Sequence, residues 1–322
     1  MNNLNLIYLD SNATSPVLPE IWDAMRPFAL TQFGNPSSSH GAGRKARKAL
    51  EDSREEIAQL LGAFPDEVVF TSGATEANNL ALQSALSDSP SSILASQIEH
   101  ASITEHLKKL EKQGFQVQWL DIEHQGKASL SNLSDIIKTD TKLATLMLVN
   151  HETGVLQPIE TLGNQLQSKM WVHTDAVQGA GKIRIDFHRL CVTSLALSAH
   201  KFHGPKGTGI LYINENIKIN PFLHGGAQER NMRAGTENVY GIVGFAKALE
   251  LSTQNHDKEK EYISGLKKYM YDSLVENIPT VSFNGDPFGE SLYTLLSVNF
   301  PKNQKTEMLL FNLDIQHICA SG

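Results

Sequence analysis

A chain of 322 residues with 40% apolar content is long enough for two globular domains of about 100 to 200 residues each. Its 28 basic and 35 acidic residues give a formal charge of −7, which leaves no electrostatic footprint for nucleic acid or an anionic membrane. The two cysteines, Cys191 and Cys319, have neither CxxC nor zinc-type spacing, which argues against a disulfide framework or a cysteine metal site and fits a reducing compartment.

The N-terminal MNNLNLIYLDSNATSP lacks a basic n-region and a long apolar core, and no later stretch reaches the roughly 18 unbroken apolar residues of a membrane span, so a cytoplasmic protein is expected. Residues 41–62, GAGRKARKALEDSREEIAQLLG, read as one amphipathic helix with a solvated charged face. The GxG there is no nucleotide loop, because no strand precedes it and the third glycine is missing. From Glu67 onward the short runs EVVF, SSILA, FQVQWL, KLATLMLV, MWVHTDA, SLALSA and GTGILYI are separated by segments of helical period. The runs are continuous rather than alternating, as buried parallel strands are, and the alternation of strand and helix predicts an α/β fold with a mostly parallel sheet covered by helices. In residues 101–114, Ile103, His106, Leu107 and Leu110 share one helix face and Gly114 supplies the C-cap. After Tyr240 an apolar helix and the charged NHDKEKEY put a boundary near residue 255. The expected organisation is an N-terminal segment, 1–15, associated with a small domain, a large domain, 16–254, and the start of a small α+β domain, 255–322.

In an open parallel sheet the ligand sits beyond the carboxyl ends of the strands, so the residues after each run carry the information. After EVVF, Thr71, Ser72, Gly73, Ala74 and Thr75 lead directly into a helix. Free N–H groups there suit a phosphate, and the same residues also suit a plain N-cap. After SSILASQI comes Glu99-His100, where the imidazole either faces a ligand or caps the next helix. After MWVHT, Asp175 closes a buried strand, a costly place unless a cation or donor meets it, and Gln178 follows; capping is again the alternative.

After SLAL comes SAHKFHGPKG, residues 198–207. Lys201, desolvated at the sheet edge near other cationic groups, can have its pKa lowered enough to attack a carbonyl, while Ser198 and the flanking histidines can bind phosphate. His200-x-x-His203 has neither the helical spacing of a zinc pair nor an evident third ligand, so no metal is expected. A phosphate cradle, a stacking imidazole, an acid for a ring nitrogen and an amine for an aldehyde together meet the needs of pyridoxal phosphate.

The segments YLDSNATSP, FGNPSSSH, FTSGATEANNLAL, VNHETGV, HTDAVQ, SAHKFHGPKGTG and RAGTENV, in this order, resemble the NifS/IscS-type cysteine desulfurases, a branch of the class V aminotransferase group. The resemblance runs from about Tyr8 to the last residue. It implies the type I fold of pyridoxal-phosphate-dependent transferases, with helices on both sheet faces, a smaller second domain, and a homodimer. It further implies that Lys201 bonds to the cofactor aldehyde, Asp175 pairs with the pyridine nitrogen and Gln178 contacts the ring hydroxyl. Ala74, Thr75, Ser198 and His200 would hold the phosphate, which Thr236 of RAGTEN would reach from the partner subunit. His100 would stack on the ring and assist proton transfer, and Asn35 of FGNPSS would form part of the substrate side. The implied reaction takes sulfur from L-cysteine, releasing L-alanine and leaving a persulfide on an accessible enzyme thiolate. That sulfur passes to an acceptor protein for iron-sulfur cluster assembly or RNA thiolation.

Two departures qualify the resemblance. In VNHETG, Asn150 is retained but His151 stands where the family commonly has a second asparagine near the cofactor hydroxyl or substrate carboxylate. The family also continues from a Ser-Gly like Ser321-Gly322 into Ser-Ala-Cys, whose cysteine is the nucleophile, and later supplies an arginine for the substrate carboxylate. The expectation is therefore most of a desulfurase, shortened at its mobile loop, with an incomplete small domain. Cys319 in HICA and Cys191 in RLCVTSLALS are expected in the core. Two other readings stand beside this one: a selenocysteine lyase or other lyase using the same cofactor, and a catalytically idle homologue that keeps the cofactor for stability.

Overall fold

A computed structural model describes residues 6–86, 89–215, 217–303 and 306–322, so residues 1–5 of the expected N-terminal segment lie outside the described residues. The chain opens with a short strand, β1 (Ile7–Tyr8), then α1 (Pro19–Leu30) and α2 (Gly41–Leu60). Helix α2 follows the amphipathic pattern, burying Ala46, Leu50, Ile57 and Ala58 on one face, and the His40 side chain caps it by accepting from Gly43 N.

The alternating region then runs β2 (Val68–Thr71), α3 (Ala74–Ala85), β3 (Ser92–Ser96), α4 (Ala101–Lys112), β4 (Gln116–Leu120), α5 (Leu133–Ile136), β5 (Thr141–Thr145), α6 (Ile159–Leu166), β6 (Trp171–Asp175), α7 (Phe187–Leu190), β7 (Ser194–Ser198) and β8 (Gly209–Ile213). These strands form one seven-stranded sheet in the order β2-β8-β7-β6-β5-β3-β4. Every pairing is parallel except the two made by β8, so the sheet is mostly parallel with one reversed strand.

Successive side chains in a strand point to opposite faces, and here both faces are apolar. Val68, Phe70, Leu195, Leu197, Ile210 and Tyr212 join the core shared with α1, α2 and α6, whereas Val69, Ala196, Leu211 and Ile213 meet α3. Coverage on both sides explains why these strands read as unbroken hydrophobic runs.

The last part of the chain contains α8 (Val239–Asn277), β9 (Ser282–Phe283), β10 (Val298–Asn299), α9 (Leu309–Ile315) and β11 (Ile318–Cys319). Helix α8 starts at Asn238, whose side chain accepts from Gly241 N, and lies along α1 and α2. Its buried positions run to Ser252, after which Lys267 alone is buried in that helix. The expected boundary at 254/255 therefore falls inside a continuous helix, where it leaves the core. β1 pairs in parallel with β11, Ile7 opposite Ile318, so the two ends of the described chain are strapped together.

Both cysteines depart from the expected core position, since each is only partly buried. β11 pairs with β1 in a two-stranded sheet apart from the large one, and Cys191 ends α7 with φ +54°, where the chain turns at the surface. Among the described residues, no helix is long and apolar enough to cross a membrane.

Candidate active site

A cleft of about 2140 Å³ opens beyond the carboxyl ends of β2, β3, β6 and β7. Its sheet-side lining brings together Ala74, Thr75, His100, His151, Asp175, Gln178, Ser198, His200 and Lys201. An apolar wall faces them, with Leu266 and Met270 from α8 and Leu310, Phe311 and Leu313 from α9.

At one end of this lining stands the start of α3. Gly73 precedes the helix with φ +156° and gives no side-chain cap, so backbone donors at Ala74 and Thr75 open onto the cleft. The glycine turn lies tight against β8: a Cβ on Gly209 would come within 2.6 Å of Gly73 Cα, so only glycine allows the approach. Ser198, 4% exposed, and His200 line the same cleft at the end of β7. Burial, reinforced by Lys201, Lys206 and Lys182, pushes the His200 imidazole down to about 4, so near neutral pH it is an uncharged ring beside Thr14 Oγ1 at 3.1 Å.

Lys201 follows in a single 3₁₀ turn, Ala199–Lys201. Its Nζ donates to the backbone carbonyls of Asn12 at 2.8 Å and Ala13 at 2.9 Å. Burial lowers its pKa below the ordinary lysine value, with Asp175 and Asp10 pulling the other way. The N-terminal loop that supplies these carbonyls is itself tied down, because Ser15 N and Oγ both donate to His200 O at 2.9 Å and Asn12 Nδ2 donates to His151 O. Gln178 Nε2 donates to the same Asn12 carbonyl at 3.1 Å, and its Oε1 accepts from Lys182 Nζ at 3.0 Å. Burial, then repulsion from Lys201, drops the Lys182 amine to about 7.

Asp175, 5% exposed, ends β6 and meets the donors its position demands: Asn78 Nδ2 at 2.7 Å and Val177 N at 3.0 Å. His100 caps the next helix and also lines the cleft. Its Nδ1 accepts from Ser102 N at 3.1 Å at the start of α4, and the ring stands edge-on to His151 with centroids 5.3 Å apart. His151 Nδ1 is buried with no hydrogen-bond partner, and burial, then His100, holds its pKa below the usual imidazole value. Behind His100, Glu99 accepts from Ser96 Oγ at 2.7 Å and Met147 N at 2.8 Å. Its burial outweighs those bonds and pushes the carboxyl up to about 8.

Three candidates lie outside the cleft lining. Asn150 uses Oδ1 within its own turn, accepting from Glu152 N, Thr153 N and Thr153 Oγ1, and its Nδ2 donates to Ile98 O at 3.2 Å. Asn35 is exposed and its Oδ1 accepts from Ser37 N. Thr236 is exposed on a loop entered through three residues with left-handed backbone, Glu229, Arg230 and Asn231, at φ 43°, 56° and 65°. A buried ion pair pins that loop: Arg54 Nη2 to Glu229 Oε1 at 2.7 Å, with side chains 3% and 1% exposed.

Sequence reasoning missed Asn78, Ser102, Lys182 and the carbonyls of Asn12 and Ala13. Asn78 carries a readable signal, because it shares the buried face of α3 with Ala81 and Leu82 at helical spacing. The backbone carbonyls carry none.

The family model described as Aminotransferase class-V matches residues 7–322. The Cysteine desulfurase IscS of Dictyoglomus turgidum is 41% identical over 319 residues, covering 98% of this chain and 80% of that protein. The Cysteine desulfurase IscS of Methanosarcina thermophila is 40% identical over 319 residues, covering 98% and 78%. Among solved structures, a NifS-like protein has a TM-score of 0.93 at 36% identity, covering 98% of this chain and 87% of that one. SspA in complex with cysteine has a TM-score of 0.82 at 33% identity, covering 95% and 87%. The α/β fold with its mostly parallel sheet is thus the one these relatives share.

Proposed function

The chain belongs to the aminotransferase class-V family, and on that premise we propose that it is a pyridoxal-phosphate-dependent cysteine desulfurase, taking sulfur from L-cysteine and yielding L-alanine. The observation that carries this reading is Lys201 Nζ, held by two backbone carbonyls at the cleft that also contains buried Asp175 and the uncapped start of α3. The relatives named cysteine desulfurase and the neighbour in complex with cysteine support the choice of substrate.

The residues present fit the cofactor. Donors at Ala74 and Thr75, with the Ser198 hydroxyl and uncharged His200, would hold a phosphate. Asp175, meeting only donors from the protein, would pair with the ring nitrogen, and Gln178 with the ring hydroxyl. When bound, pyridoxal phosphate supplies an electron sink for charge developing on the substrate.

The chain's own groups do the rest. Lys201, partly desolvated, gives up its proton at lower pH than an ordinary lysine, which makes its amine available to a carbonyl. Until then the Asn12 and Ala13 carbonyls hold the ammonium hydrogens. His100 stacks over the site and moves a proton, and His151, which lines the same cleft, meets the ring hydroxyl or the substrate carboxylate. We assign Asn150 to shaping the turn that carries His151.

In this reading the enzyme is a cytoplasmic homodimer in which Thr236 reaches the partner's phosphate site and Asn35 serves the substrate side. Its sulfur goes to an acceptor protein in iron-sulfur cluster assembly or RNA thiolation. The large and small units divide near residue 255.

The test is to add pyridoxal phosphate, follow the absorbance of the bound form, and measure alanine from L-cysteine with a dithiol as sulfur acceptor. Bound cofactor and alanine formation are expected, both lost in Lys201→Ala. Alanine from selenocysteine but not from cysteine would replace the desulfurase with a selenocysteine lyase. Bound cofactor with no turnover of either would leave an idle homologue.

A further inference from the structure

Asn78 stands where a buried hydrogen-bond chain branches toward the cleft, and groups with a single role fix the direction of that chain. An indole N–H only donates, so Trp171 Nε1 gives its hydrogen to Ser194 Oγ at 2.7 Å. Ser194 Oγ, which has a second lone pair, also meets His173 Nδ1 at 2.8 Å, and it donates there once the ring hydrogen is committed at Nε2 to Asn78 Oδ1. His173 is fully buried, and burial pushes it down to about 3, so the ring is neutral. Its one hydrogen sits on Nε2 and is donated to Asn78 Oδ1 at 2.9 Å.

The Asn78 amide therefore turns its NH₂ group the other way. Nδ2 donates to Asp175 Oδ2 at 2.7 Å and to Ser102 Oγ at 2.8 Å. An ionised Asp175 only accepts, so the opposite end of the chain demands the same orientation. Ser102 Oγ, accepting from Asn78, passes its hydrogen to His100 Nδ1 at 2.9 Å, and Ser102 N donates to that nitrogen at 3.1 Å. Nδ1 is an acceptor twice over, which leaves the hydrogen of neutral His100 on Nε2.

We infer that Asn78 is a positioning residue: with the two hydrogens of one amide it holds Asp175 as a pure acceptor and, through Ser102, holds His100 as the Nε2–H form. Asn78 is fully buried and lines no part of the cleft, so it acts only through these partners. One consequence concerns the order of proton movements. His100 meets a substrate as a donor first, because Nδ1 cannot take a proton without breaking its bonds to Ser102. The catalytic importance of Asp175 and His100 rests on the desulfurase reading; the placement of the hydrogens does not.

The test is ¹⁵N-histidine NMR of the cofactor-free chain at about pH 8, with His100→Gln identifying the resonances. His100 is expected to carry its proton on Nε2, and a wild type with the proton on Nδ1 overturns the inference. In Asn78→Leu the two ring-nitrogen shifts of His100 are expected to converge as both forms become populated. Ser102→Ala, which removes one of the two donors to Nδ1 directly, moves them the same way by at least as much and decides the matter if Asn78→Leu does not fold. A folded variant that melts earlier with unchanged ring-nitrogen shifts would make Asn78 merely structural. Refusal of pyridoxal phosphate by the wild type would end the desulfurase reading and leave these spectra as they are.

Discussion

Lys201 Nζ and Gln178 Nε2 donate to one and the same acceptor, the carbonyl oxygen of Asn12, at 2.8 and 3.1 Å. The N-terminal loop thus sets the lysine and the glutamine side by side, and Lys182 locks the glutamine by donating to its Oε1.

Lys182 gives this arrangement a pH signature. Burial lowers its amine to about 7 from the ordinary 10.5, so between these values the unfolded chain binds more protons than the folded one and stability rises with pH. The urea midpoint of the wild type is expected to gain more between about pH 7 and pH 9 than that of Lys182→Met. Parallel profiles would contradict the assignment.

Glu99 has the opposite sign. Its folded carboxyl is raised from 4.5 to about 8, so the folded chain holds more protons in that window and stability falls as pH rises through it. Glu99→Gln keeps an acceptor for Ser96 Oγ and Met147 N and removes the titration. The variant is expected to unfold at higher urea than the wild type at about pH 8, by at least about 1 kcal/mol. Equal stability would mean that Glu99 does not hold a proton there.

Asp175→Ala separates chemistry from folding. It strands the Asn78 amide hydrogen, a cost of about 1 to 3 kcal/mol. Loss of the partner for the ring nitrogen is expected to lower alanine formation by about a hundredfold or more while the cooperative melt persists. Comparable losses in melting and turnover would make the aspartate a structural residue.

The loop bearing Thr236 depends on a buried charge pair. Arg54→Met leaves Glu229 buried and unpaired, so a loss of about 3 to 5 kcal/mol is expected, most of it recovered in the Arg54→Met/Glu229→Gln double variant. Denaturant melts of the wild type and the two variants check this; a double variant no better than the single one would contradict it.

What could be read from the sequence follows from where each signal resides. The runs that became β2, β3, β7 and β8 were legible because burial on both faces leaves them apolar apart from small hydroxyls and a buried tyrosine. KLATLMLV was longer than its strand, since β5 stops at Thr145 and Leu146 to Val149 stay buried in the connection that leads to His151. NHDKEKEY, read as marking a domain boundary, lies inside α8, which continues through it because Lys and Glu are good helix formers on an exposed face. Asp175, Lys201 and His100 were legible because polar residues after buried strands are costly without a purpose. Asn12 and Ala13 act through backbone carbonyls, which no side-chain pattern announces.

Covalent bonding of the Lys201 amine to an aromatic aldehyde is read most directly by borohydride reduction of the pyridoxal-phosphate-loaded protein, followed by digestion and mass mapping. One stable pyridoxyl group is expected on the peptide containing Lys201, absent in Lys201→Ala. A label fixed on Lys182 or another lysine, or no label in a protein that has taken up the cofactor, would contradict it.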